Sequence, residues 1–278
     1  MGIEERAMLV ILSISIWTNR RVDKEAGRQV AEWAKAREEA GKYVKYLVDR
    51  DSWHRIVEVA NSARSYHYFH TLPWLDGGRR ILPVEMFEEY SRQMRKYKER
   101  FYAEVDRFVS EFPALVADAR AMLGKLFNPA DYPDPDELRG RFSFEVTIEP
   151  VPTPDFRVQI AEEELRELER QVEERLKKAE EVALRECWNR LYEVVHHMVM
   201  RLSDSGTFRD SLVGNIRKLC GILTKLNLTG DPQLEEMRRE IEEKLVKDPN
   251  VLRKNKRIRR RTLREAERIL NKIKGVLA

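Results

Sequence analysis

IAEEELRELERQVEERLKKAEEVALRECWNRLYEVVHHMVMRLSD, residues 160–204, decides the fold. Its apolar residues fall at Leu165, Leu168, Val172, Leu176, Ala179, Ala183, Cys187, Leu191, Val194, Met198 and Leu202, a period of about 3.7. That spacing marks one face of a helix, nearer to a straight helix or an eleven-residue repeat than to a strict heptad. The first half, EEELRELERQVEERLKKAEE, carries a narrow stripe among charges, which suits a projecting arm. The second half, CWNRLYEVVHHMVM, is apolar nearly all round and is expected to be buried. One helix thus runs from an exposed arm into a core.

Most of the flanking chain has the same character. Helical patterns cover 23–49, 52–72, 84–126, 208–227, 232–247 and 260–277. Asp134-Pro135, Asp231-Pro232 and Asp248-Pro249 each place a capping carboxylate before a proline suited to the first helical position. Thr207-Phe208-Arg209-Asp210 has the spacing of a capping box. Strand signals are few. Met8, Val10, Leu12, Ile14 and Ile16 alternate against Ser13, Ser15 and Trp17. Phe142, Phe144, Val146 and Ile148 alternate against Ser143, Glu145 and Thr147, and Phe156–Ile160 offers a third strand. The expected fold is α+β and predominantly α-helical, with long helices and one small mixed or antiparallel sheet. Residues 1–278 are read as a single elongated unit, with an antiparallel helical arm from 84–126 and 160–190 and a basic C-terminal helix over 251–278.

Charged residues make up 36% of the 278, against about 25% in an average domain, an excess that long solvated helices require. The net charge of +4 is uneven. From Val251 onward eleven Lys/Arg face two Glu, a net of +9, so the remaining 250 residues carry a net of −5. Two cysteines, Cys187 and Cys220, in no cluster, fit a reduced intracellular protein. MLVILSISIW near the start is preceded by Glu4 and Glu5 and followed by no cleavage site, so it reads as a strand. No apolar run reaches the roughly 18 residues of a membrane span.

Three groups of residues are candidates for function. His67 and His70 lie three apart on a helical stripe that includes Ile56, Ala60 and Ala63, and His196 or His197 could add a third metal ligand. Core histidines bonded to tyrosine or backbone are the simpler reading, and HExxH is absent. Arg79 and Arg80 follow Asp76-Gly77-Gly78 and precede a helix, which allows an anion site, although the GK[ST] ending of a phosphate loop is missing and a plain turn is the simpler reading. The third group is the tail: Arg253, Lys254, Lys256, Arg257, Arg259, Arg260, Arg261 and Arg264. Such a run can hold a phosphate backbone. It is equally compatible with a solvated helix face or an acidic protein partner. No aromatic residue interrupts it, so base stacking is not implied there. There is no GxSxG, CxxC, GxGxxG or kinase motif, so no catalytic residue and no cofactor is assigned, and a non-enzymatic role is expected.

YHYFHTLPWLDGGRRILP (66–83) and FRDSLVGNIRKLCGILTKLNLTGDPQLE (208–235), with ISIW (14–17), YPDPDELRGRFSF (132–144) and PVPTPDFRV (150–158), resemble in order a phage-encoded family of unknown function. Genes of that family often lie near one for a MoxR/CobS-like AAA ATPase, sometimes with a von Willebrand A-type protein. The resemblance implies an adaptor or structural component acting through other proteins, an AAA ATPase among them, in the cytoplasm of an infected cell or associated with the virion. Long helical arms also suit homo-oligomerisation. The basic tail lies outside the resemblance, and with it the alternative of nucleic-acid binding in phage replication or recombination. A metal-dependent enzyme using the histidines is a third, weaker alternative.

Overall fold

A computed structural model describes residues 2–75, 77–155, 161–204 and 208–278. The elements, in chain order, are α1 (Ile3–Arg6), β1 (Ala7–Ser15), β2 (Arg20–Val22), α2 (Lys24–Trp33), β3 (Val44–Tyr46), α3 (Arg50–His70), β4 (Leu72–Pro73), β5 (Arg80–Pro83), α4 (Phe87–Leu123), α5 (Pro135–Leu138), β6 (Ser143–Pro150), α6 (Glu162–Ser203), α7 (Ser211–Leu226), α8 (Pro232–Leu245), α9 (Pro249–Lys254) and α10 (Lys256–Leu277). The fold is α+β and mainly helical. One sheet has the order β4-β5-β1-β6, and β2 pairs with β3 in a second. β1 runs antiparallel to β5, with Ala7 opposite Pro83 and Val10 opposite Arg80. The strand expected over Phe156–Ile160 and the Thr207 capping box lie outside the described residues.

Internal contacts divide the chain into two compact units. The first comprises Met1–Ile11, Tyr68–Glu89 and Thr147–Ala278, and the second Leu12–His67 and Tyr90–Val146. The second is built on aromatic side chains. Trp17 meets the Phe112 ring edge-on at 5.6 Å and Phe108 at 6.0 Å, while Phe101 contacts Phe144 at 5.6 Å. Trp17 is therefore buried, although the alternation of 8–17 placed it on the solvent side. It lies beyond the end of β1, so strand periodicity no longer governs it. The helix expected over 23–49 stops at Trp33. Lys35 then adopts a left-handed φ of 52°, and the chain returns as β3 against β2. Asn19 secures that return. Its side chain accepts from Leu47 N and Val48 N at 3.1 and 2.8 Å and donates to Val48 O at 2.9 Å.

α6 and α10 form the spine of the first unit. They run antiparallel: Arg259 near the start of α10 reaches Leu202 O, and Arg185 reaches Leu277 O at its end. The α6 stripe that is buried consists of Ala179, Ala183, Cys187, Trp188, Leu191, Val195, Met198 and Leu202. Val195 takes the inward place that the sequence period gave to Val194. Before Ala179 the helix buries nothing. It is stabilised there by its own charges, with Arg166 on Glu162 at 2.6 Å and Arg170 shared between Glu167 and Glu174. Capping follows the sequence. Asp134, Asp231 and Asp248 accept from Asp136 N, Leu234 N and Asn250 N at 2.9, 2.7 and 2.7 Å. No helix is long and apolar enough to cross a membrane among the described residues.

Candidate polyanion-binding face of the C-terminal helix

The histidines and the glycine turn are occupied by contacts within the protein. His67 is buried, and its Nδ1 lies 2.7 Å from the Tyr90 hydroxyl. Tyr66 stacks beside them on Tyr90 at 6.1 Å and meets Tyr97 at a tilt, 5.9 Å away. This joins the end of α3 to α4 within the second unit. His70 packs edge-on against Phe69, and His196 stacks on Tyr192 one turn earlier in α6. Among the described residues no group of three or more His, Cys, Asp and Glu is gathered that could hold a metal. Gly77 and Gly78 have φ of 63° and 71°, which glycine adopts without strain, so the chain turns there from β4 into β5. Arg79 then donates to Glu149 at 2.8 Å. Arg80 donates to the Thr71 hydroxyl and carbonyl at 2.7 and 3.0 Å and lies over the Tyr68 ring. Both guanidiniums are thus committed to neighbours in their own unit.

The eight tail cations separate into two groups. Arg253 and Arg259 are structural. Arg253 donates to Phe208 O at 3.0 Å, pairs with Asp210 at 2.6 Å and lies over the Phe208 ring. Arg259 covers the ring as well and donates to the carbonyls of Arg201, Leu202 and Asp204. Those carbonyls end α6 and have no acceptor role within the helix, so a cation from α10 satisfies them.

Arg257, Arg260, Arg261 and Arg264 behave differently. α10 starts at a defined point because Asn255 Oδ1 accepts from Arg257 N and Ile258 N at 3.0 and 3.1 Å. Its buried face is Thr262, Ala266, Ile269, Leu270 and Ile273. Positions 257, 260, 261 and 264 have the i, i+3, i+4, i+7 spacing of a single face, on the side away from that core, and all four are exposed. Lys254 and Lys256, also exposed, flank the helix start. Among the described residues none of these six cations has a carboxylate partner.

Other helices pair many of their cations, although Arg92, Arg95, Lys96 and Arg100 of α4 are likewise exposed and without a carboxylate partner among the described residues. Arg166, Arg170, Arg190, Arg238, Arg239 and Lys244 each pair with a glutamate three or four residues away. In the later turns of α10 itself, Arg268 and Lys272 converge on Glu240 of α8. Burial raises the Glu240 pKa, but Lys272 and Arg268 outweigh it and hold the carboxyl below its ordinary value. The first turns of α10 carry only cations. Like charges at i, i+4 cost about 0.2–0.5 kcal/mol per pair. Cations beside a helix N-terminus also oppose its dipole. This arrangement disfavours the isolated helix and favours an external anion. The helical pattern of 260–277 is readable in the sequence, whereas the start at Lys256, which brings Arg257 onto the same face, follows from the Asn255 cap. The removal of Arg253 and Arg259 to structural duty could not be read there, because their partners lie about 45 to 58 residues away.

No family description, curated protein or solved structure was found to match the chain.

Proposed function

We propose that the protein is a non-enzymatic nucleic-acid-binding protein that grips the phosphate backbone with the face formed by Lys254, Lys256, Arg257, Arg260, Arg261 and Arg264. The observation that carries this reading is the contrast along α10. Arg268 and Lys272 in its later turns are neutralised by Glu240, and its first turns are left without acids. Arg257 to Arg264 spans about 10 Å of helix, the reach of two or three phosphates on one strand. Arginine also binds phosphate bidentately. An acidic protein surface would satisfy the same charges, but it would have to match a regular cationic row with few apolar anchors between. Fluorescence anisotropy with a 20-base-pair duplex at about 50 mM salt tests the reading. Replacing Arg257, Arg260, Arg261 and Arg264 by Gln is expected to weaken binding at least about 100-fold, whereas Arg268→Gln and Lys272→Gln change it by less than about threefold. Equal losses in the two sets would remove the stripe from the account.

A second reading, an adaptor for other proteins such as an AAA ATPase, draws on the solvated first half of α6 and on the exposed Trp33. It predicts that deleting the α6 arm, rather than neutralising α10, abolishes capture of such a partner.

A further inference from the structure

A cleft of about 350 Å³ opens between the end of α6 and the start of α7. His197 and Arg201 line it from one turn of α6, Ser211 and Asn215 from one turn of α7, with Arg209 and Phe208 at its edge. Its size is at the low end of small-molecule pockets, about 300–1,000 Å³. Arg201 and Arg209 are exposed and have no acidic partner among the described residues. Asp210, next in sequence to Arg209, is held by Arg253 at 2.6 Å. Phe208 is not available as a stacking platform, because Arg253 and Arg259 already lie on its ring at 5.5 and 5.6 Å. Among the described residues the cleft therefore offers two guanidiniums without acidic partners and the polar groups of His197, Ser211 and Asn215. That is the chemistry of a phosphate site. Arg259 links it directly to α10, since its guanidinium binds Arg201 O while its neighbours Arg257 and Arg260 lie on the cationic face.

We infer that this cleft receives the terminal phosphate of a nucleic-acid strand whose backbone lies along α10. The inference rests on the nucleic-acid reading above. A continuous backbone passes over a convex helix face, whereas a recess between two helices admits an end. A terminal monoester carries about −1.5 to −2 charges, against one for an internal diester, which suits two arginines.

The test compares 20-mer duplexes with 5′-phosphate, 3′-phosphate or only hydroxyl ends, as competitors in the anisotropy assay, for the wild type and for Arg201→Gln/Arg209→Gln. Thermal melting confirms that the variant folds. The wild type is expected to prefer one phosphorylated end by about fivefold or more, about 1 kcal/mol. The variant is expected to bind all three duplexes alike. Binding without any preference in the wild type, or a preference that survives in the variant, overturns the inference and leaves the backbone reading intact. A nucleoside monophosphate that competes as well as the phosphorylated duplex also overturns it, by making the cleft a site for free nucleotide. Failure of every duplex to bind removes the backbone reading and this inference together.

Discussion

Arg190 on α6 donates to three main-chain carbonyls, Tyr68 and Phe69 at 2.9 Å and Thr71 at 2.7 Å, while Glu186 holds it at 2.9 Å. The Tyr68 and Phe69 carbonyls lie in the last turn of α3, where intrahelical donors run out, and the Thr71 carbonyl also accepts from Arg80. Arg190→Met is expected to cost about 1.5–3 kcal/mol or more, read from urea denaturation, because hydrogen bonds to charged donors are worth that each. Lys45 has an equivalent place in the second unit. Its buried ammonium binds Asp23 at 2.8 Å, Asp131 at 2.9 Å and the Leu126 carbonyl at 2.6 Å. Lys45→Met leaves Asp23 without its cation and Asp131 with Arg21 alone, and is expected to cost about 3–5 kcal/mol. The thiols make a third case. Burial pushes Cys187 up to about 12 and Cys220 up to about 11. Neither should react with a disulfide reagent at pH 8 until the protein is denatured, and both should react then. The inward position of His67 was legible, since it continues the spacing of Ile56, Ala60 and Ala63. The role of Arg190 was not, because its acceptors are 119 to 122 residues away and local pattern carries no sign of them.

Among the elements, α6, α8 and α10 were readable because their apolar residues keep helical phase, and α8 also because Asp231 caps its start. The short strands β2, β3, β4 and β5 were not, because two to four residues are too few to show alternation. β3 was absorbed into a helical pattern for that reason. The cationic start of α10 yields a prediction specific to a binding face. Gln at Arg257 and Arg261 relieves an i, i+4 repulsion and an unfavourable dipole contact, so folding stability should be unchanged or rise by up to about 1 kcal/mol. A purely structural role predicts a loss instead. α8 behaves in the opposite sense. Arg238 chiefly, with Arg239, holds the Glu235 carboxyl down at about 2. A depressed carboxylate contributes stability above its unfolded value near 4.3, and that contribution is lost as pH falls through about 2. The acid limb of unfolding should therefore be shallower in Glu235→Gln.

At the scale of the whole molecule, charge is sorted along the chain, with a net of +9 from Val251 onward against −5 in the remaining 250 residues. The second unit sets pH limits of its own through Lys45 and Asp23. Burial would lower Lys45, but Asp23 and Asp131 outweigh it and raise its pKa above 10.5. Its contribution is complete below about 10.4 and is lost as pH rises through the raised value. Asp23 is lowered, chiefly by the Ala26 amide and then by Lys45, so its contribution is present above about 3.9 and is lost on acidification. The segregated positive charge was plain in composition. Which cations remain available for a partner needed the fold, because only there do Glu240, Asp210 and the α6 carbonyls claim theirs. The most direct test of the account is the slope of log Kobs against log[salt] for duplex DNA. Neutralising about three to six phosphates predicts a slope near −3 to −5 in the wild type, reduced by at least about 2 when Arg257, Arg260, Arg261 and Arg264 become Gln. An identical slope in the two proteins, or no binding by the wild type at about 50 mM salt, would contradict it.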